Sequence, residues 1–356
     1  MCRWFAYISP TEPCLLEDVL ITPKHSLVKQ VHEHYLPGLV AHDPLIPARN
    51  SVNNIDGMGV AWYTSSAADF ELPDSGESSD GTLKEGLRPA AYKTIAPPIN
   101  DLNFRSICGN VETRCCFAHI RAASGTPIVH TNNHPFIFGR HTMMHNGVIS
   151  DFGVVKRDML HLISDAAYNC ILGSTDSEHL GALYMTYLTN AGSRDSFEKE
   201  YTVEEMADAL HKAVATTVEL QLQILGPKAR PNSLNLCVTD GVKLVAYRFR
   251  NHATQDPPSL YFSTTAGTTL NRKYQDHPDG IVVASDASRI PRERHGKHII
   301  VASEPTTYKH DEWELIGRNQ TLLASPDEDG EGGKVQVRDI PYQTSWNTED
   351  PSTAKK

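Results

Sequence analysis

The sequence predicts a layered α+β fold, and three observations carry that prediction. Short apolar or alternating runs bounded by turn residues recur along the chain, as half-buried and buried strands do. Two of the gaps between such runs hold hairpin turn residues. The helical stripes are few and long, without the regular strand–helix–strand alternation of a parallel sheet, so antiparallel strands flanked by a few helices are expected.

In chain order the expected strands are Trp4–Ser9, Met58–Thr64, Cys115–Ala122, Phe136–Phe138 and Thr142–His145, then Leu234–Val238, Leu244–Phe249, Leu260–Ser263, Ile281–Ala284 and Ile299–Ala302. Gly139-Arg140 and Asp240-Gly241 are the two hairpin signals. A helix is expected over about 202–224, where Val203, Met206, Ala207, Leu210, Val214 and Val218 keep a 3.6-residue stripe behind a Thr202…Glu205 capping box. A second box, Thr175…Glu178, precedes His179–Met185, and Pro23–His34 also reads as helical. Ser65–Leu87 and Pro326–Gly333 lack apolar periodicity and are rich in Ser, Asp, Glu and Gly, so both read as acidic loop insertions. With no internal repeat and no convincing linker, residues 2–340 read as one domain and 341–356 as a flexible tail.

The formal net charge of -10 argues against nucleic acid as a partner, because phosphate-backbone binding needs a clustered basic footprint. No apolar run approaches the ~20 residues that span a bilayer, and the opening MCRWFAYISPTEP lacks the apolar stretch of a secretory signal. A soluble, cytoplasmic protein without a membrane partner is expected. The 7 cysteines form no CxxC pair, which fits buried thiols in a reducing compartment. Histidine spacings such as His141…His145 and His130…His134 imitate metal pairs but fall in strand and turn, and GxSxG, P-loop and HExxH motifs are absent, so neither a metal nor a cofactor is expected.

Cys2 stands directly behind Met1. Methionine removal is favoured before a small side chain, and the mature chain would then carry a thiol and a free α-amine on one residue. The amine has a reference pKa of roughly 7.7–8.0, close enough to neutrality to take and return protons. That pairs a nucleophile with its own base.

The chain then carries IDGMGVAWY, FAHIRAAS, NNHPF, HNGVISDF, STDSE and IIVASEP in that order behind MCRWFAYIS. This set resembles the class II glutamine amidotransferases among the N-terminal-nucleophile hydrolases, and within them the glutathione-degrading amidotransferase-like subunits of fungi. It covers roughly residues 1–325 and fails in the acidic insertions and the tail. The resemblance implies a four-layer αββα sandwich of two antiparallel sheets. It also implies that Cys2 is the nucleophile and that the Asn146 side chain and the Gly147 N–H stabilise the oxyanion of an acyl transfer. Arg121 would grip the α-carboxylate of a glutamyl group through its planar fork, Asp176 would hold the α-ammonium, and Ser124 and His134 would belong to the same pocket.

Taken singly these residues also have plain readings: a hairpin turn for Asn146-Gly147, a surface ion pair for Arg121, a first-turn helix acid for Asp176 and a buried strand-end ring for His134. The DGMG of residues 56–59 reads as a tight turn that lets backbones approach closely. Ammonia-using synthases of the family commonly carry Trp after the arginine and Thr two positions later. Here Ala122 and Ser124 stand there, which puts simple glutamine specificity in doubt. The activity implied is hydrolysis of the γ-glutamyl bond of glutathione, within a complex with a metallopeptidase-like subunit. The alternatives are a γ-glutamyl hercynylcysteine sulfoxide hydrolase of ergothioneine synthesis, a glutaminase subunit and a non-catalytic regulatory subunit.

Overall fold

The computed structural model describes residues 2–37, 56–66, 86–123, 125–274, 296–327, 330 and 333–349. Its strands are β1 (Arg3–Ile8), β2 (Cys14–Leu15), β3 (Met58–Thr64), β4 (Arg88–Thr94), β5 (Glu112–Thr113), β6 (Cys115–Ile120), β7 (Phe136–Phe138) and β8 (His141–Val148). Those after the long helices are β9 (Ser233–Thr239), β10 (Leu244–Arg250), β11 (Tyr261–Ser263), β12 (Ile299–Ala302), β13 (Glu314–Leu315), β14 (Gln320–Pro326) and β15 (Gly333–Asp339). One sheet runs β13-β11-β12-β1-β6-β3-β4 and the other β15-β14-β10-β9-β8-β7, with antiparallel pairing throughout.

Three apolar clusters set the layers. Along β1, successive side chains alternate between the two faces. Trp4, Ala6 and Ile8 pack between the sheets with Phe117, Met144, Cys237 and Leu322. Phe5 and Tyr7 point the other way, onto Leu16, Leu20 and Phe104 of the helices Leu16–Leu20 and Leu102–Asn110. The outer face of the second sheet, through Met143, Leu234, Leu236 and Tyr247, meets Leu180, Leu183, Leu210 and Val214 of the helices Asp176–Leu188 and Val203–Leu225. The result is helices, sheet, sheet, helices: the four-layer αββα sandwich. Central strands are covered on both faces, which is why RWFAYI reads as a nearly continuous apolar run.

Most expected strands are present within a residue or two, and both hairpins form, with Gly139 and Gly241 in the left-handed region at φ 60° and 91°. The helix Val203–Leu225 opens on a complete Thr202–Glu205 capping box. Thr175 caps Asp176–Leu188, but Glu178 turns instead to the Leu172 and Gly173 N–H groups, so only half of that box is made.

Two expectations are corrected. Pro23–His34 is not a helix: it holds only a single turn at Lys29–Val31, because its polar groups bond across to another segment. The His25 ring meets the Pro305 carbonyl at 2.6 Å, and Gln30 donates to the His25 and Glu304 carbonyls. Residues 341–349 of the tail expected over 341–356 are packed against the sandwich: Trp346 is 2% exposed against Phe249 and Tyr342, and Asn251 bonds the Trp346 carbonyl and the Thr348 N–H; the rest of that tail lies outside the described residues. At 326–333 the ends of the expected loop belong to a hairpin in which Pro326 faces Gly333. The expected strand Ile281–Ala284, most of the 65–87 insertion and Ser124 lie outside the described residues. No helix among the described residues is long and apolar enough to cross a membrane.

Candidate active site

Strand parity brings the first candidates together. Cys2 lies two residues before Trp4 and Asn146 two after Met144, and Trp4 and Met144 both face the space between the sheets. A period of two therefore aims Cys2 and Asn146 into the same gap, from opposite sheets. Arg121 follows β6 by one residue, and its backbone continues the pairing through Gly57 and Asp56 (Arg121 N to Gly57 O 2.9 Å, Asp56 N to Arg121 O 3.2 Å).

From there a chain of hydrogen bonds closes on itself. The Ala122 N–H donates to Cys2 Sγ at 3.3 Å, placing the sulfur beside Arg121. Arg121 donates to the Pro127 carbonyl at 3.2 Å and to Asn133 Oδ1 at 3.3 Å. Asn132 donates to the same Pro127 carbonyl at 2.9 Å and accepts from Ser174 N at 2.8 Å, just before the helix that begins at Asp176. Asp176 Oδ2 accepts from Ile149 N at 2.8 Å, two residues beyond Gly147. The His119 ring of β6 then meets the His145 carbonyl at 3.2 Å, returning to Asn146 and to the strand that carries Arg121. Cys2, Arg121, Asn146, Gly147 and Asp176 thus sit on one bonded ring of short segments.

Each group has a distinct environment. Burial pushes the Cys2 thiol above its ordinary range, against the Ala122 N–H and the Arg121 and Arg3 guanidiniums, which favour the thiolate. Burial also lowers the Arg121 pKa, opposed by Cys2 and Asp56. Asn146 is 2% exposed, and its side-chain amide is committed to no other hydrogen bond among the described residues. Gly147, in contrast, is exposed and has φ 152°; a Cβ there would stand 1.8 Å from the Ser233 carbonyl oxygen, so only glycine fits this backbone.

Two sequence expectations need qualification. The terminal nitrogens of Arg121 already bond Thr126 Oγ1, the Pro127 carbonyl and Asn133, so its fork faces the 126–127 loop and is not presented freely. His134 is buried, with its ring 4.1 Å from that of His119 and 4.6 Å from Phe136, and neither ring nitrogen has a hydrogen-bond partner among the described residues. Burial, then the neighbouring His119, holds its pKa well below the ordinary value, so the ring is neutral. It reaches no other member of the ring by a hydrogen bond.

The sequence reading passed over Asn132 and Asn133, the two residues of NNHPF that tie the arginine loop to the Asp176 helix. It also missed Asp56, whose carboxylate takes the Ala123 N–H at 2.7 Å. Adjacent asparagines at a turn before a histidine were the available signal. The DGMG turn does what its glycines allow: a Cβ on Gly59 would stand 2.1 Å from the His134 carbonyl oxygen. Among the described residues no group of three or more His, Cys, Asp or Glu side chains could hold a metal ion.

No protein-family model matches the sequence. A Saccharomyces cerevisiae protein, probable glutamine amidotransferase DUG3, is 30% identical over 340 residues, covering 92% of this chain and 84% of the yeast protein. The fold is shared with the structure of a glutamine aminotransferase class-II domain protein from Silicibacter pomeroyi, at a TM-score of 0.53 and 20% identity over 95% of this chain and 99% of that one. The allosteric regulatory enzyme of purine biosynthesis matches with a TM-score of 0.50 and 11% identity, over 96% of this chain and 50% of the other. With a relative of that identity along nearly its whole length, the chain belongs to the glutamine amidotransferases and is an amidohydrolase, and its sandwich is the fold of the class II domain.

Proposed function

We propose that the protein hydrolyses the γ-glutamyl bond of glutathione, releasing glutamate and cysteinylglycine, with Cys2 as nucleophile once Met1 is removed. The observation that supports this reading is the closed ring of hydrogen bonds that links the segments carrying Cys2, Arg121, Asn146 and Asp176. In this scheme the Cys2 thiol gives its proton to its own α-amine as sulfur attacks the γ-carbonyl carbon. Burial favours the protonated thiol, the form from which this transfer starts.

The Asn146 side chain and the Gly147 N–H take the oxyanion. Collapse breaks the C–N bond, and the leaving nitrogen takes the proton from the α-ammonium. Water then adds to the glutamyl thioester, with the amine again accepting a proton, and glutamate leaves as the thiol is restored. Arg121 holds the substrate α-carboxylate, which takes the place of the Thr126 and Pro127 contacts on the fork, and Asp176 holds the α-ammonium. Ser124 follows the arginine in the same pocket, and His134 supports its wall as a neutral ring.

Strands β9 to β14 complete the two sheets of this sandwich. We further propose a metallopeptidase-like partner subunit, which would dispose of the dipeptide product. The test is glutamate release from glutathione and from glutamine by protein whose intact mass shows Met1 removed, with and without the candidate partner. Turnover of glutathione that Cys2→Ala abolishes without unfolding is expected. Turnover that survives Cys2→Ala, or turnover of glutamine alone, would defeat the reading.

A further inference from the structure

A buried charged pair stands immediately behind the proposed nucleophile and has no place in the mechanism above. Arg3 Nε donates to Glu304 Oε1 at 2.6 Å, with the two side chains 5% and 0% exposed. Arg3 Nη1 donates to the Cys2 carbonyl at 2.9 Å. The Glu304 carboxylate also takes the Tyr35 N–H at 2.7 Å and lies 2.9 Å from His34 Nδ1, while His25 Nε2 stands 3.6 Å away. The ladder between β1 and β12 extends to this point, because Ser303 N bonds the Trp4 carbonyl at 2.9 Å and Trp4 N bonds Ser303 Oγ at 3.1 Å. Glu304 is therefore registered rigidly against the first residues of the chain.

We propose that Glu304 and Arg3 are positioning residues for the N-terminal nucleophile: Glu304 fixes the Arg3 fork, and the fork holds the Cys2 carbonyl. This rests on the reading of Cys2 as nucleophile. A chain terminus frays unless it is tied down. Here both the attacking sulfur and its base hang from one terminal residue, so a swing of the peptide plane that joins it to Arg3 would misplace both together. Holding the carbonyl fixes that plane and the position of the Cα beyond it, and the Ala122 N–H then sets where the sulfur points. A planar fork can grip a carboxylate at one edge and a carbonyl at the other, which a lysine or an apolar pair cannot.

A buried ion pair is weak in stability terms and is often replaceable by well-packed apolar residues, so its presence at this position points to geometry as its purpose. Burial raises the Glu304 pKa, but His34, Arg3 and the Tyr35 N–H outweigh it, and the carboxyl group stays ionised below its ordinary range.

The test is Arg3→Lys, which keeps a cation for Glu304 but loses the second arm, with Glu304→Gln as a second variant. Two readouts are needed, and the first does not depend on the substrate. Iodoacetamide alkylation mapped by mass spectrometry is expected to be at least roughly five-fold faster at Cys2 in Arg3→Lys, while the buried Cys115 and Cys237 stay as protected as in the unaltered protein. In glutathione hydrolysis, kcat is expected to fall about ten-fold or more with KM held within about two-fold, since orientation and not binding is lost.

An unchanged Cys2 alkylation rate, or equal acceleration at Cys115, would assign the pair to general stability and overturn the proposal. A kcat within about two-fold of the unaltered enzyme would do the same. If the unaltered protein releases no glutamate, the γ-glutamyl reading fails, and the alkylation comparison still decides the clamp.

Discussion

Replacing Gly147 with alanine should damage both the fold and the chemistry, by amounts that follow from the backbone. The new Cβ would sit 1.8 Å from the Ser233 carbonyl oxygen and 2.8 Å from His145 Nε2. Reaching even a tight contact of about 3.3 Å takes a shift of roughly 1.5 Å between β8 and β9. The φ of 152° adds strain of about 1–3 kcal/mol for a residue with a Cβ, and overpacking adds about 1–3 kcal/mol. A total of about 2–6 kcal/mol, set against an unfolding entropy of about 0.75 kcal/mol/K for a chain of this length, corresponds to a melting temperature lower by roughly 3–8 °C.

Because the shift falls on the residue proposed to donate to the oxyanion, kcat should drop about 100-fold or more in the surviving folded fraction. Calorimetry and glutamate release, normalised to folded protein, measure the two effects. Gly153→Ala is the control: it lies near the start of the helix Phe152–Leu162 with nothing within 4 Å of its Cβ position, so stability should be unchanged or slightly higher. A Gly147→Ala protein that melts within about 2 °C of the original and turns over within about two-fold of it would refute the argument.

Asn146→Ala removes a buried amide that holds no other bond, so the fold should survive while kcat falls roughly 10²–10³-fold with little change in KM; an unaltered kcat would remove Asn146 from the oxyanion site. Thr126→Val deletes a hydroxyl that accepts from Arg121 at 2.7 Å and competes with a substrate carboxylate, so KM should drop by roughly three- to ten-fold. A rise in KM would show instead that Thr126 orients the fork. Acid should destabilise the protein through its buried histidines: burial holds His119 at about 3 and His141 at about 4, below the ordinary 6.5 of a free imidazole. Between those values and about 6.5 the unfolded chain binds more protons, so stability rises with pH there and is lost on acidification, at up to about 1.4 kcal/mol per pH unit for each ring. Urea midpoints that are equal at pH 7 and pH 5 would contradict this.

The central strands were legible because they are buried on both faces and rich in aromatic and β-branched residues, and the helix Val203–Leu225 because its apolar stripe and its Thr202–Glu205 cap agree. The edge strand Arg88–Thr94 was not: a proline and two alanines carry little strand preference, and Pro89 is tolerated because the strand lies at the sheet edge. The helix Phe152–Leu162 starts from Asp151 in the left-handed region without a side-chain cap, so it left no start signal. Pro23–His34 misled because its apolar spacing suits a helix while tertiary bonds to residues 304–306 claim its polar groups. In the site, motif order marked Cys2, Arg121, Asn146, Gly147 and Asp176. Spacing alone could not show that Arg121 is turned onto its own loop, or that Asn132 joins two distant segments, because those facts belong to contacts made only when the sandwich closes.

The first strand lies between β6 and β12, with Phe5 facing Ala118 on one side and Ala302 on the other. During synthesis the leading residues must therefore wait for nearly the whole polypeptide to emerge before their slot exists, a long-range closure of the slow kind. A nascent or prematurely terminated chain ending before β12 would leave β1 with β6 on one side and an open edge on the other.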